Sequence, residues 1–315
     1  MQQSPASPSI PDLDHTAQST LRAVQLVQLG ILRIIDRICL ENGIRYWLDG
    51  GTLLGAVRHR GFIPWDDDID IAMPRPDYER FLRIAPTVLP SHLQLEDSDQ
   101  IDGHACYAVP CKIRDVHSKI TEAHPESMAD QGKGLFVDIL PIDAFHARPM
   151  GFRIDMALKW LYRNLSKIND AKDSSLPWTY KFANRCLEVL HPLAGAGTPI
   201  KMYRSILRRT RLNRVFRGSS PLVGYGFDVH WTRVFKATDI FPLQRMDFEG
   251  LQFLAPRRPD NVLQVFYGAD YLTPPPAMLR CPKHLFLVNL DTRLGNNVRK
   301  VEYVDYGIER PTRLT

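Results

Sequence analysis

The chain has 315 residues, enough for one large domain or two smaller ones, and its 44% hydrophobic and 24% charged content excludes a low-complexity chain. No apolar run approaches the roughly 20 residues of a membrane span. The net charge is only +5, and five scattered cysteines without CxxC or zinc-finger spacing fit free thiols in the cytosol.

Residues 1–15 are polar, rich in Ser and Pro and without an apolar h-region, so a disordered tail is expected rather than a signal peptide. Residues 16–42 read as a helix, because Leu21, Val24, Leu29, Leu32, Ile35 and Cys39 recur near the 3.6 period and Asn42-Gly43 supplies a stop. A short strand is expected over 44–48. The Gly50-Gly51-Thr52 turn should break it, with a helical turn or two following from Thr52 to His59. After a loop through Gly61 and Pro64 comes an acidic strand over 68–73, then a helix over 76–84 with Pro76 early, where its missing N–H is harmless. Strands follow over 93–95, 105–113 and 134–140, the last ended by Pro141.

From 151 to 217 the pattern turns helical, in about three segments broken near Pro177 and over 192–199. Fourteen Lys and Arg, Lys159 among them, oppose four Asp and Glu there. This excess reads equally as a solvated helical face or as a surface for phosphate-rich or anionic-membrane partners. The remainder is mixed, with a hairpin over 248–253 and a short helix over 260–266. The expected organisation is a tail (1–15), a catalytic core (16–150), a basic helical subdomain (151–217), the C-terminal part of the core domain (218–300) and a weakly specified end (301–315).

The chemical signal is concentrated in Trp65-Asp66-Asp67-Asp68-Ile69-Asp70-Ile71, four carboxylates in an apolar frame. On a strand, Asp68 and Asp70 project together while Ile69 and Ile71 point inward. Adjacent carboxylates repel unless a cation or proton sits between them, and hard oxygen ligands suit Mg²⁺ or Mn²⁺. Asp138, charged amid the strand-like Phe136-Val137-Asp138-Ile139-Leu140, is the candidate third acid, the alternative being a solvated strand face. Asp66 is a further metal-ligand candidate, and alternation assigns Asp67 to the other side. Gly50, Gly51 and Thr52 open a helix whose N–H groups can receive a phosphate. Arg58, His59, Arg60, Lys112, Arg114 and His284 are candidate phosphate contacts, each also readable as an ordinary surface group. Trp47 and Trp65 are expected in the core.

The run Tyr46-Trp47-Leu48-Asp49-Gly50-Gly51-Thr52-Leu53-Leu54-Gly55-Ala56-Val57-Arg58-His59, followed by residues 61–70, resembles the signature of the LicD family. That family includes bacterial phosphocholine transferases and is similar to the fukutin and fukutin-related sugar-phosphate transferases. Matching continues through Pro74-Arg75-Pro76-Asp77-Tyr78, residues 133–141, Asp239-Ile240-Phe241-Pro242, Phe248-Glu249-Gly250, Pro256 and Tyr267-Gly268-Ala269-Asp270-Tyr271. The resemblance implies an α+β, nucleotidyltransferase-like fold, a mixed β-sheet flanked by helices with a helical insertion. Gly50 and Gly51, then Asp68 and Asp70, then Asp138 fill the family's glycine-turn and acid positions.

It further implies Mg²⁺- or Mn²⁺-dependent cleavage of CDP-choline or another CDP-alcohol. The phospho-alcohol passes to a hydroxyl of a cell-surface glycan or lipid-linked glycan, and CMP is released. Either Asp70 or Asp138 is the implied base for the acceptor. The expected setting is cytoplasmic, peripheral to an anionic membrane surface, with no nucleic-acid partner. Two other functions remain compatible with the residues: transfer of a nucleoside monophosphate onto a small molecule or protein, and a non-catalytic module using the acids as a structural cation site.

Overall fold

A computed structural model describes residues 15–97, 111–122, 133–169, 221–229, 231–282, 285–290 and 299–300. The helical stripe read from the sequence forms α1 (His15–Glu41), which buries Leu21, Val24, Leu32, Ile35 and Cys39 along one face. Each such side chain removed from water contributes roughly 1.5–3 kcal/mol before entropy is counted. Asn42 closes the helix by donating from its side chain to Ile38 O at 2.9 Å, and Gly43 turns the chain away at φ +60°.

Next come β1 (Trp47–Leu48), α2 (Gly50–His59), β2 (Asp70–Pro74), α3 (Arg75–Val88), β3 (Leu93–Asp97), β4 (Cys111–Asp115) and β5 (Lys119–Glu122). They are followed by β6 (Phe136–Phe145), α4 (Pro149–Asn169), β7 (Leu222–Tyr225), β8 (Val234–Lys236) and α5 (Ala237–Ile240). The described chain finishes with β9 (Gln244–Phe248), β10 (Leu251–Ala255), α6 (Pro259–Tyr267), β11 (Leu285–Asn289) and β12 (Arg299–Lys300).

Seven strands form a mixed sheet in the order β1-β2-β6-β4-β3, with β7 also on β6 and β8 beyond it. Only β2 and β6 run parallel; the other pairs in this sheet are antiparallel. β6 is ten residues long and serves two neighbours in turn on one side, β4 at its start and β7 at its end. Helices α1 and α3 touch each other and both pack on β6. Separately, β9 and β10 form a hairpin, and β5, β11 and β12 a three-stranded sheet. The architecture is thus α+β with a mixed sheet, as expected.

Several expected bounds shift. The acidic strand begins at Asp70, not residue 68, because only from Asp70 does β2 find its partner β6. α2 starts at Gly50, so the glycine pair lies inside the first turn of the helix rather than before it. α3 runs to Val88 through Pro86. Pro141 does not end β6: it lacks a donor, yet its carbonyl accepts from Gly226 N at 2.8 Å and the ladder continues. The hairpin turn is Glu249-Gly250, with φ of 55° and 72°, the type I′ geometry that suits strand twist.

Of the basic region, α4 is described and residues 170–217 lie outside the described residues. Within α4, Lys159 is 1% exposed and donates to the carbonyls of Tyr225, Gly226 and Val229 at 2.8, 2.6 and 3.1 Å. It therefore belongs to neither a solvated face nor a partner surface; a buried ammonium needs several acceptors, and the turn after β7 supplies them. Nearby, Arg75 at the start of α3 pairs with Asp143 of β6 at 2.8 Å and with Asp228. This network locks β7 and its turn against β6, one wall of the site described next.

Candidate active site

Sheet register builds the centre of the site. Asp70 of β2 lies directly beside Asp138 of β6, and Lys112 of β4 lies opposite Asp138 on its other side. In-register neighbours share a face. The three side chains therefore form a row across three strands, while Ile71 and Ile139 point to the core with no exposed surface. Lys112 Nζ sits 3.0 Å from Asp138 Oδ1 and 3.5 Å from the centroid of the Phe136 ring. The site thus includes a fixed ammonium beside one acid.

The loop before β2 carries the remaining acids. Helix α1 holds this loop through two side chains one turn apart: Gln25 Nε2 donates to Asp66 O at 2.9 Å, and Gln28 Nε2 to Asp67 O at 2.8 Å. At its far end Thr52 Oγ1 accepts from Asp70 N at 2.8 Å, and Ile69 O accepts from Asp138 N at 2.9 Å. Held in this way, Asp66, Asp67 and Asp68 each bring a carboxylate oxygen within 4.8 Å of the others. Asp67 is part of this cluster, although strand alternation assigned it to the opposite side. Alternation does not govern residues 66–68, because they precede the strand.

The glycine pair packs directly on these acids. Gly50 adopts φ +50°, and a Cβ there would lie 3.3 Å from Asp70 Oδ2. A Cβ on Gly51 would lie 2.9 Å from Asp66 Oδ2. The N-terminus of α2, the positive end of the helix dipole, therefore opens beside the carboxylate cluster.

Electrostatics confirm how crowded the centre is. The Asp70 carboxyl is pushed well above its ordinary range by burial first, then by the charges of Asp68, Asp138, Asp49 and Asp66. Burial likewise raises Asp49 from 3.8 to about 6, opposed by the hydroxyl of Tyr225, which donates to Asp49 Oδ2 at 2.5 Å. Asp70, buried among four other carboxylates, favours a proton or a cation beside it. An all-oxygen donor set of this kind has the chemistry that a hard divalent ion such as Mg²⁺ takes.

The other expected contacts divide. Arg58 reaches the site from α2, its Cζ 5.9 Å from the centroid of Trp65, the residue before Asp66. His59 accepts from Arg58 Nε at 2.9 Å, with its ring edge-on to Trp65. Thr52 spends its hydroxyl oxygen on Asp70 N. Arg114 pairs with Glu96 and donates to Gly134 O at 3.0 Å, which commits it to the β3–β4 edge. Arg60 is exposed, and His284 lies outside the described residues.

Sequence reasoning missed Asp49, Tyr225, Gln25 and Gln28 as site residues. Gln25 and Gln28 did carry a signal, two amides three residues apart in an otherwise apolar helical face. Tyr267, at the end of α6, is 43% exposed; its hydroxyl is pushed above its ordinary range by partial burial and then by Asp66, Asp70, Asp49 and Asp68. Nothing local marks such a residue as a neighbour of acids some two hundred positions earlier.

A parallel strand pair with an in-register acid on each strand, a clustered acidic loop and a glycine-led helix N-terminus define the class. Residues 43–149, which contain all of these features, match the LicD/FKTN/FKRP nucleotidyltransferase domain, and this stretch is a LicD-family domain. Over 130 residues the chain is 38% identical to the lipopolysaccharide cholinephosphotransferase LicD of Haemophilus influenzae, which covers 41% of this chain and 47% of that protein. Over 58 residues it is 61% identical to human ribitol 5-phosphate transferase FKRP, covering 18% of this chain and 11% of that one. The match thus spans about half of the bacterial relative and about a tenth of the human one.

Proposed function

We propose that this chain is a metal-dependent phospho-alcohol transferase with a nucleotidyltransferase-like catalytic domain. It cleaves a CDP-activated donor such as CDP-choline, passes phosphocholine or a related phospho-alcohol to a hydroxyl of a cell-surface glycan such as lipopolysaccharide, and releases CMP. The observation that carries this reading is the register that sets Asp70 beside Asp138, with Asp66 and Asp68 on the loop leading into β2. The relatives' names, one a cholinephosphotransferase and one a ribitol phosphate transferase, support the transferred group.

Asp66, Asp68, Asp70 and Asp138 would hold Mg²⁺ or Mn²⁺, with Asp67 an added oxygen donor. When bound, the cation supplies charge neutralisation on the donor's diphosphate. The α2 N-terminus, opened by Gly50 and Gly51, offers N–H groups to a phosphate, and Arg58 a guanidinium. In the transfer, the acceptor oxygen bonds to the phosphorus bearing the alcohol. The bond from that phosphorus to CMP breaks, its electron pair leaves with CMP, and the hydroxyl proton passes to a site carboxylate, Asp70 or Asp138. Lys112, at 3.0 Å from Asp138, orients that carboxylate.

No helix of the described residues is long and apolar enough to cross a membrane. A cytoplasmic enzyme, peripheral at the inner membrane face where a lipid-linked acceptor resides, accords with that. The test is CMP release from a panel of CDP-alcohols with Mg²⁺, for the wild type and for Asp68→Asn and Asp70→Asn. Folded variants that still release CMP at the wild-type rate would sink the proposal. The family description, a nucleotidyltransferase domain, favours a second reading, transfer of a nucleoside monophosphate. An acceptor whose mass rises by a nucleotide would establish it instead.

A further inference from the structure

Two guanidinium groups converge on one indole at the edge of the acidic site. Arg58 of α2 and Arg280, which follows the short turn Ala277–Leu279, place their Cζ atoms 5.9 and 5.3 Å from the centroid of the Trp65 ring. Each is tethered by a carbonyl: Arg58 donates to Tyr271 O at 3.3 Å, and Arg280 Nε to Pro275 O at 2.8 Å. Among the described residues neither makes a salt bridge, and their like charges repel. Arg58 is also half-buried, so it has lost solvation without forming an ion pair among the described residues.

The surroundings define what would compensate. Trp65 is followed directly by Asp66, so a basic lobe adjoins the acidic lobe through one peptide. Asp66 itself packs against Gly51 of α2, the helix that carries Arg58. A ligand satisfying both lobes must present oxygens to a cation at the carboxylates and further anionic oxygens to two planar donors. A diphosphate has that form, and guanidinium groups bind its oxygens in pairs.

We infer that Arg280, with Arg58 on the shared platform of Trp65, forms a clamp for the diphosphate of the donor. Arg280 lies outside the residues 43–149 matched by the family. The donor's identity rests on the proposed function; the ligand class, a diphosphate, does not.

The test measures binding of inorganic pyrophosphate and of CDP-choline, each with Mg²⁺, by titration calorimetry. The full chain is compared with Arg280→Gln, Arg280→Lys and Arg58→Gln. Loss of a charge-assisted contact should weaken pyrophosphate binding about tenfold or more in Arg280→Gln. Arg280→Lys should recover part of it, CMP binding should change less, and the melting temperature should hold, since Arg280 has no ion pair to lose. In turnover, KM for the CDP-alcohol should rise more than kcat falls. Pyrophosphate affinity equal to wild type in Arg280→Gln, or no pyrophosphate binding by the wild type, overturns the clamp. Loss of pyrophosphate binding in Arg280→Gln from a protein that cleaves no CDP-alcohol would uphold the clamp and overturn the proposed reaction.

Discussion

Replacing Asp68 by Asn should stabilise the cation-free protein while removing its response to Mg²⁺. The oxygens of Asp66, Asp67 and Asp68 lie within 4.8 Å of one another. Two full charges at that distance repel by about 3.5 kcal/mol at an effective dielectric constant near 20. Asp66 and Asp68 are partly exposed, and solvent screening reduces the repulsion relieved to roughly 1–2 kcal/mol. For a chain of this size that corresponds to a rise of about 2–4 °C in Tm. The wild type should instead gain from the cation, by about 2.7 kcal/mol at one hundred times Kd. Calorimetric melting in EDTA and in saturating Mg²⁺ measures both effects. A variant that melts lower than wild type in EDTA, yet keeps the full Mg²⁺ increment, would refute the assignment of these acids to a cation site.

Asp49 provides a pH test. Its folded pKa, about 6, lies above the ordinary 3.8, so its contribution is fully present below pH 3.8 and is lost as pH rises through 6. That loss amounts to roughly 3 kcal/mol. Asp49→Asn should therefore match wild type near pH 4 and exceed it in Tm at pH 7; equal Tm at both would contradict the burial argument. Glu249 has the opposite sign. Burial raises its carboxyl, but Arg22 at 2.6 Å and Phe62 N at 3.0 Å outweigh burial and hold it below 4.5. Its contribution is present above pH 4.5 and lost as pH falls through the lower folded value. Glu249→Gln should cost about 1 kcal/mol in urea unfolding at pH 7, with the difference shrinking in acid. Gly55→Ala would place a Cβ against Gly61 O and 3.2 Å from Ile63 N, backbone atoms of the loop that delivers the acids. It should lower stability by about 1–3 kcal/mol and turnover with it, as urea unfolding and CMP release would measure; wild-type values for both would show that the loop yields freely.

Much of this molecule was legible in its local patterns. The apolar period of α1, the Gly50-Gly51-Thr52 entry to α2, the type I′ residues Glu249-Gly250 and the apolar frames around Asp70 and Asp138 each report on a few consecutive residues. Their backbone preferences and burial act at that range. What the patterns did not reach is adjacency. Asp67 was misplaced because the strand period was extended two residues past the point where β2 finds its partner. Arg114 was grouped with Lys112, yet Glu96 and Gly134 engage it. Lys159 read as one of many surface cations, and only the carbonyls gathered after β7 explain its burial.

The sequence by itself determined that acids, glycines and apolar frames recur together in the stretches around Gly50, Asp70 and Asp138. Tertiary structure decided which of those groups meet. The parallel pairing of β2 with β6 sets Asp70 against Asp138, α1 supplies the amides that hold the acidic loop, and the chain after α6 brings Arg280 onto the ring of Trp65. The physical reason is range: propensity and periodicity act over a few residues, whereas strand register and helix docking are selected by burial over the whole core.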